Sequence, residues 1–194
     1  MHNRLIGEEE VGEEFYSRVS ASYMVPALYK VLTSEEDLNA IRNTYGRLLR
    51  DEMHIVRRAA VSVFSEVFSS ALAPVQIEWF IPFLKEISVD ENAAVKVLAI
   101  EGYESITKSL HGSGSSALLV SEIVPLIKAA AIDESWRVRY AIAKMYGSVI
   151  SYVPADVCKS ELFPVAIKLL MDRFSGLVTP LACAHDSHRS ILCI

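Results

Sequence analysis

Apolar residues recur along this chain at steps of three and four positions, the spacing that places side chains on one face of an α-helix. The clearest run follows Asp51 and consists of Val56, Ala59, Ala60, Val63, Phe64 and Val67. The same pattern returns after Asp90 and after Asp133, as Val95, Leu98, Ala99, Gly102, Tyr103 and Ile106, then Val138, Ala141, Ile142, Met145, Tyr146 and Val149. We therefore predict three similar helices, each with one face in the core.

A second apolar segment precedes Asp90, Asp133 and Asp172. These segments span residues 75–87, 118–131 and 160–170, and each carries a proline, namely Pro82, Pro125 and Pro164. Proline removes one backbone donor, so we expect these helices to be kinked. Each segment is predicted to form a helical pair with the helix that follows it.

The helical pairs repeat along the chain. Asp-Glu begins the motif at positions 51, 90 and 133, which are 39 and 43 residues apart, and each proline lies eight positions before an aspartate. We assign the four additional residues of the longer interval to the Gly/Ser-rich stretch 111–116, which is predicted to be a flexible connection. Projected backwards, the same period reaches Arg18, so the array is expected to start before Asp51.

Asp51, Asp90 and Asp133 lie just ahead of predicted helices. There an aspartate can accept hydrogen bonds from the free N–H groups of the first turn and oppose the positive end of the helix dipole. A basic residue follows each aspartate by six positions: Arg57, Lys96 and Arg139. We expect these residues to form an ion-pair ladder within or between units; direct ligand contact is the alternative that the sequence leaves open.

Composition restricts the classes of function. The chain has 194 residues, 52% of them hydrophobic, a net charge of −5 and a pI near 5.6, which argues against a nucleic-acid partner. The longest uncharged apolar runs, 67–77 and 174–184, are about half of the ~20 residues that a membrane span requires, so no membrane is expected as a partner. Three cysteines and an acidic N-terminal stretch favour a reducing compartment, cytoplasmic and possibly also nuclear.

Several segments resemble a known family. Residues 133–140 (DESWRVRY) and 55–60 (IVRRAA), supported by 94–101 and 159–164, closely resemble the HEAT-repeat scaffold (A) subunit of protein phosphatase 2A. The likeness runs from about Asn3 to Asp172 and looks like the N-terminal half of that family's array. It implies an all-α HEAT-repeat superhelix, a solenoid of antiparallel helix pairs, that is not an enzyme and has no cofactor, metal or catalytic residue.

The resemblance also implies a site and a partner. In this family the turns inside each repeat form a ridge that binds regulatory (B-type) subunits, and later repeats bind the catalytic subunit, which this chain would bind only with further repeats. Carried over by position, the candidate protein-binding residues are Asp51, Glu52, Met53, His54, Asp90, Glu91, Asn92, Asp133, Glu134, Ser135, Trp136 and Arg137. The alternative function is a karyopherin-like transport adaptor or another assembly protein. Trp136 suits a contact hot spot, and a half-buried packing role is its alternative.

The sequence predicts two regions. Residues 1–172 form an array of about four units with a truncated first helix, and residues 173–194 form a divergent tail, because Val178 stands where a basic residue is expected and Pro180 interrupts the helix pattern. The tail contains Cys183, His185, His188 and Cys193, whose spacing does not fit a zinc site. It also provides no oriented base that could activate a nucleophile.

Overall fold

The computed structural model describes residues 3–172, with side chains from Tyr16 onward, and every regular element in this part is helical. The α-helices are α1 Asn3–Val31, α2 Glu35–Leu49, α3 His54–Ser62, α4 Phe64–Ser70, α5 Ala73–Val75, α6 Ile81–Ser88, α7 Ala93–Glu101, α8 Tyr103–Gly112, α9 Ser116–Leu118, α10 Val124–Ala130, α11 Trp136–Ile150, α12 Ala155–Val157 and α13 Phe163–Leu170. Three π-helical segments interrupt them: π1 Gln76–Phe80, π2 Leu119–Ile123 and π3 Cys158–Leu162. The predicted tail 173–194 lies outside the described residues.

The helices form successive pairs, which we call units, each with a leading and a trailing helix. The first unit pairs α2 with α3–α4, the second pairs α5–π1–α6 with α7–α8, the third pairs α9–π2–α10 with α11, and α12–π3–α13 leads the fourth. Helix α1 is a trailing helix that precedes the first unit. Because trailing helices stack on trailing helices and leading helices on leading helices, the chain is an all-α solenoid.

The core lies between these two helical layers, on the face that the sequence predicts. Val56, Val95 and Val138, which occupy the same position in three units, are at most 1% exposed, and so are the rings of Tyr45 and Tyr103. Within the described residues, no helix has the length and apolar character that crossing a membrane requires.

Two trailing helices are interrupted where the sequence predicts continuous helices. The interruptions fall at Val63 and Gly102, which occupy the same position in their units, whereas α11 runs unbroken through Met145. A Cβ on Gly102 would lie 3.2 Å from Cβ of Ser65. The glycine therefore permits a close approach between neighbouring trailing helices.

The prolines of the leading helices act differently from the kink that the sequence predicts. Pro82, Pro125 and Pro164 are each the second residue of an α-helix that follows a five-residue π-helical segment. Proline cannot donate to the carbonyl four residues earlier, and the backbone widens locally beside it. The leading helices also begin earlier than predicted, at residues 73, 116 and 155.

The Gly/Ser-rich stretch 111–116, which the sequence predicts to be a flexible connection, is partly helical. Helix α8 continues to Gly112, so three of the four additional residues extend the helix and only one lengthens the turn. Gly114 then adopts a φ of 74°, its N–H donates to the carbonyl of His111, and the N–H of Ser115 donates to the carbonyl of Leu110. These two hydrogen bonds form a Schellman cap that ends the helix in a defined geometry.

Candidate protein-binding ridge

The turns between leading and trailing helices follow one design. Oδ1 of Asp51 accepts a hydrogen bond from the backbone N–H of Met53 at 2.9 Å, and Asp90 and Asp133 do the same with Asn92 and Ser135. Each donor N–H belongs to the residue that caps the trailing helix, not to its first turn. The prediction that the aspartates cap the first helical turn is therefore wrong. Each aspartate lies two positions before the capping residue, and its carboxylate closes the turn between the helices instead.

The predicted ion-pair ladder is confirmed, and it joins neighbouring units. Each basic residue of a trailing helix pairs with the aspartate at the start of the next trailing turn. The nitrogen-to-oxygen distances are 2.8 Å for Arg18–Asp51, 2.8 Å for Arg57–Asp90, 2.5 Å for Lys96–Asp133 and 2.6 Å for Arg139–Asp172. The four aspartate side chains are only 10–16% exposed, so the ladder covers the carboxylates that the sequence also offers as partner contacts.

Two of the ladder arginines also hold the turn of their own unit. Nη1 of Arg57 donates to the carbonyls of Asp51 and Glu52 at 2.8 and 3.1 Å. Arg139 makes the equivalent bonds to Asp133 and Glu134. The hydrogen bond to Asp90 raises the pKa of the Arg57 guanidinium, which stays charged. The Arg57 side chain therefore fixes both the turn of its own unit and the distance from that turn to the turn of the next unit.

The residues that the turns present outward form what we call the turn ridge: Glu52, Met53, His54, Glu91, Asn92, Glu134, Ser135, Trp136 and Arg137. Most of these side chains are exposed, and Asn92 and Ser135 are half-buried. Oδ1 of Asn92 accepts from the N–H of Ala94 and so caps α7. The ladder thus brings the predicted site residues into one row of successive turns.

Trp136 and Arg137 form the most distinctive point of the turn ridge. The Trp136 side chain is 40% exposed, and the guanidinium carbon of Arg137 lies 5.1 Å from the centre of its ring. A cation held over an aromatic face combines the two residue types that dominate binding hot spots. The ring is half covered, so it has surface left for a partner.

The sequence reasoning missed three apolar side chains beside the ridge. Val89, Ile132 and Met171 are 69%, 66% and 78% exposed. Each immediately precedes a ladder aspartate, and Arg50 occupies the same position in the first unit. The signal that could have revealed them is an apolar residue that recurs directly before the aspartate and does not belong to the core face of the helix. Together with Met53 and Trp136 they give the ridge an apolar component.

The described residues 3–172 hold no group of three or more His, Cys, Asp or Glu side chains arranged for a metal ion. The Cys183, His185, His188 and Cys193 set lies outside these residues. Cys158 is half-buried, and burial raises the pKa of its thiol. It donates to backbone carbonyls of Ile150 and Val153, a packing role.

The paired helices, the recurrent proline and the ladder of Asp and Arg or Lys define an all-α HEAT-repeat solenoid. Among curated proteins, the chain is similar to the regulatory (A) subunit of protein phosphatase PP2A from Schizosaccharomyces pombe, with 24% identity over 157 residues. This alignment covers 81% of the chain and 26% of that protein, so the chain spans about a quarter of its relative's length. No family model matches the chain.

Proposed function

We propose that this chain is a non-catalytic scaffold that binds a regulatory (B-type) subunit of a protein phosphatase 2A-type phosphatase through its turn ridge. The observation that carries the proposal is the row of turns that the ladder holds in register, with Trp136 and Arg137 exposed on it. The distant similarity to the regulatory (A) subunit of PP2A supports the same direction.

The physical argument rests on pre-organisation. A ridge that is rigid before binding loses little conformational entropy when a partner docks, so more of the contact energy appears as affinity. Buried arginine–aspartate pairs and arginine–carbonyl bonds restrain successive turns. The exposed side chains combine carboxylates with an aromatic ring, an arginine and aliphatic groups, a mixture typical of protein interfaces.

The test is binding of a purified B-type regulatory subunit to the full chain, measured by surface plasmon resonance. Trp136→Ala and Arg137→Glu are each expected to weaken binding by about thirtyfold or more, because hot-spot truncations cost about 2 kcal/mol or more. Lys108→Glu is the matched control: it reverses an exposed charge on α8, away from the turns, and should bind as the wild type does.

Unchanged binding in both ridge variants would exclude this ridge as the site. If no regulatory subunit binds the wild type, the adaptor alternative becomes the better hypothesis. We also propose that the chain does not bind an isolated catalytic subunit, since that contact is assigned to further repeats. The proposed location is cytoplasmic, possibly also nuclear.

A further inference from the structure

Neighbouring leading helices are joined by an exposed ion pair at two successive junctions. Nζ of Lys85 lies 2.9 Å from Glu122 between the second and third units, and Nζ of Lys128 lies 2.6 Å from Glu161 between the third and fourth. In the repeat register, the equivalent positions between the first and second units are Gly46 and Trp79. The first junction therefore lacks the pair that closes the other two.

Gly46 lets aromatic rings pack against the backbone of α2. A Cβ at this position would lie 2.9 Å from Cζ of Phe83 and 3.4 Å from Cζ2 of Trp79, closer than a side chain tolerates unless Phe83 moves. The two rings pack with their centres 4.4 Å apart, and the Arg50 guanidinium lies 4.3 Å above Phe83. The rings therefore form one wall where a lysine side chain would otherwise lie.

The result is an open cleft of about 440 Å³ between α2 and π1–α6. Its lining includes Arg42, Gly46, Arg47, Arg50, Trp79 and Phe83. A volume of this size accommodates a few side chains of a peptide rather than a whole helix. The cleft thus combines three guanidinium groups with an aromatic wall.

The charges of the cleft leave one cation available. The buried Arg42 pairs with Glu35 and also bonds the hydroxyl of Tyr29, and Arg50 makes two hydrogen bonds to Glu86, at 2.8 and 2.6 Å. Arg47 is exposed, and no residue among 16–172 makes a hydrogen bond or ion pair with its side chain. With respect to residues 16–172, its guanidinium is free to bind a carboxylate in the bidentate geometry that arginine favours.

We propose that this cleft binds an acidic peptide segment of a partner protein, with a carboxylate on Arg47 and an apolar side chain against Trp79. Charge complementarity supports this occupant, because Arg47 adds a positive charge to the lining that the other two arginines share with carboxylates, in a chain of net charge −5. A nucleic acid fits less well: its affinity depends on neutralising several phosphates, and two of the three arginines already have carboxylate partners. The cleft lies on the leading helices and does not depend on the turn ridge.

The experiment uses the full chain and a fluorescein-labelled probe peptide, Glu-Glu-Leu-Glu-Glu-Phe, in fluorescence anisotropy. The same peptide with lysine for glutamate and a short polyadenylate RNA are the comparison ligands. Arg47→Glu is expected to weaken binding of the acidic peptide about tenfold or more, as expected for the loss of a charged hydrogen bond. The matched control Arg58→Glu reverses an exposed arginine on α3 and should bind as the wild type does.

A second variant closes the cleft instead of changing its charge. Gly46→Lys combined with Trp79→Glu rebuilds the pair found at the other two junctions, with Phe83 displaced to admit the new Cβ, and should abolish peptide binding while circular dichroism shows unchanged helicity. Trp136→Ala should bind the peptide normally; a loss of binding there would assign the peptide to the ridge and overturn the proposal. No binding by the wild type, equal binding by both arginine variants, or tighter binding of the RNA would also overturn it.

Discussion

Arg57 of the first unit donates a hydrogen bond from Nε to Oδ2 of Asp90 in the second unit at 2.8 Å, and both side chains are about nine-tenths covered. The same guanidinium binds the carbonyls of Asp51 and Glu52 in its own unit. Arg57 therefore connects the shape of one turn to the position of the next. This link explains how short turns with little packing of their own are restrained as a row.

Replacing Arg57 with alanine should destabilise the chain by about 3 kcal/mol, because it leaves the buried carboxylate of Asp90 without its cation. The measurement is urea unfolding followed by circular dichroism. Lys30→Ala is the control, since the Lys30–Glu66 pair is about half exposed on both sides and should contribute less than about 1 kcal/mol. Equal losses in the two variants would contradict a structural role for the ladder.

Lys96 is expected to be the weakest link of the ladder. Its ammonium bonds Asp133, whereas a guanidinium at this position can also reach the carbonyls of its own turn, as Arg57 and Arg139 do. Lys96→Arg should therefore stabilise the chain by about 1 kcal/mol in urea unfolding. The reverse change, Arg139→Lys, should cost a similar amount, and a destabilised Lys96→Arg variant would contradict this account.

Two neighbouring glycines should respond oppositely to alanine. Gly114 has a φ of 74°, so Gly114→Ala strains the backbone and should cost about 1 kcal/mol. Gly112 is the last residue of α8, and apart from its chain neighbours and the backbone of its own helix no atom lies within 4 Å of a Cβ placed there. Gly112→Ala should therefore stabilise by up to about 1 kcal/mol. Thermal unfolding of both variants checks the sign, and equal shifts would refute the Schellman cap.

Alkaline pH should weaken the fold through Tyr103. Burial raises the pKa of this phenol to about 12, while a hydrogen bond between it and the Ser88 hydroxyl opposes the rise. Because the folded pKa exceeds the usual value near 10, this contribution to stability is complete below about pH 10 and is lost as the pH rises towards 12. Urea midpoints across this range should fall less steeply in Tyr103→Phe.

The matched control for Tyr103 is Tyr23→Phe, because Tyr23 is 57% exposed. This variant should retain the alkaline loss of the wild type. Tyr45 and Tyr146 are also buried, and burial raises the pKa of both, so Tyr103→Phe is expected to reduce the loss without removing it. An alkaline profile identical in Tyr103→Phe and the wild type would contradict the prediction.

The sequence predicted the helical class, the repeat and most of the core, because these depend on a spacing of apolar residues that recurs in every unit. Val56, Val95 and Val138 occupy the same position in their units and are all buried. Recognising the core face of one trailing helix therefore identifies the core face of the others. The sequence also predicted six of the eight ladder residues; Arg18 and Asp172 were not among them. It did not predict the interruptions at Val63 and Gly102 or the π-helical segments before the prolines, which depend on packing and backbone geometry.

For the candidate ridge, the sequence alone determined that Asp51, Asp90 and Asp133 begin equivalent turns, with a basic residue six positions on. Only the tertiary structure decided that each cation binds the aspartate of the next unit, that Trp136 lies half covered beside Arg137, and that Gly46 opens a cleft towards Trp79. The physical reason is the distance along the chain over which each feature is determined. Periodicity is a local property of the chain, whereas ion pairs and clefts between units depend on how neighbouring helices stack.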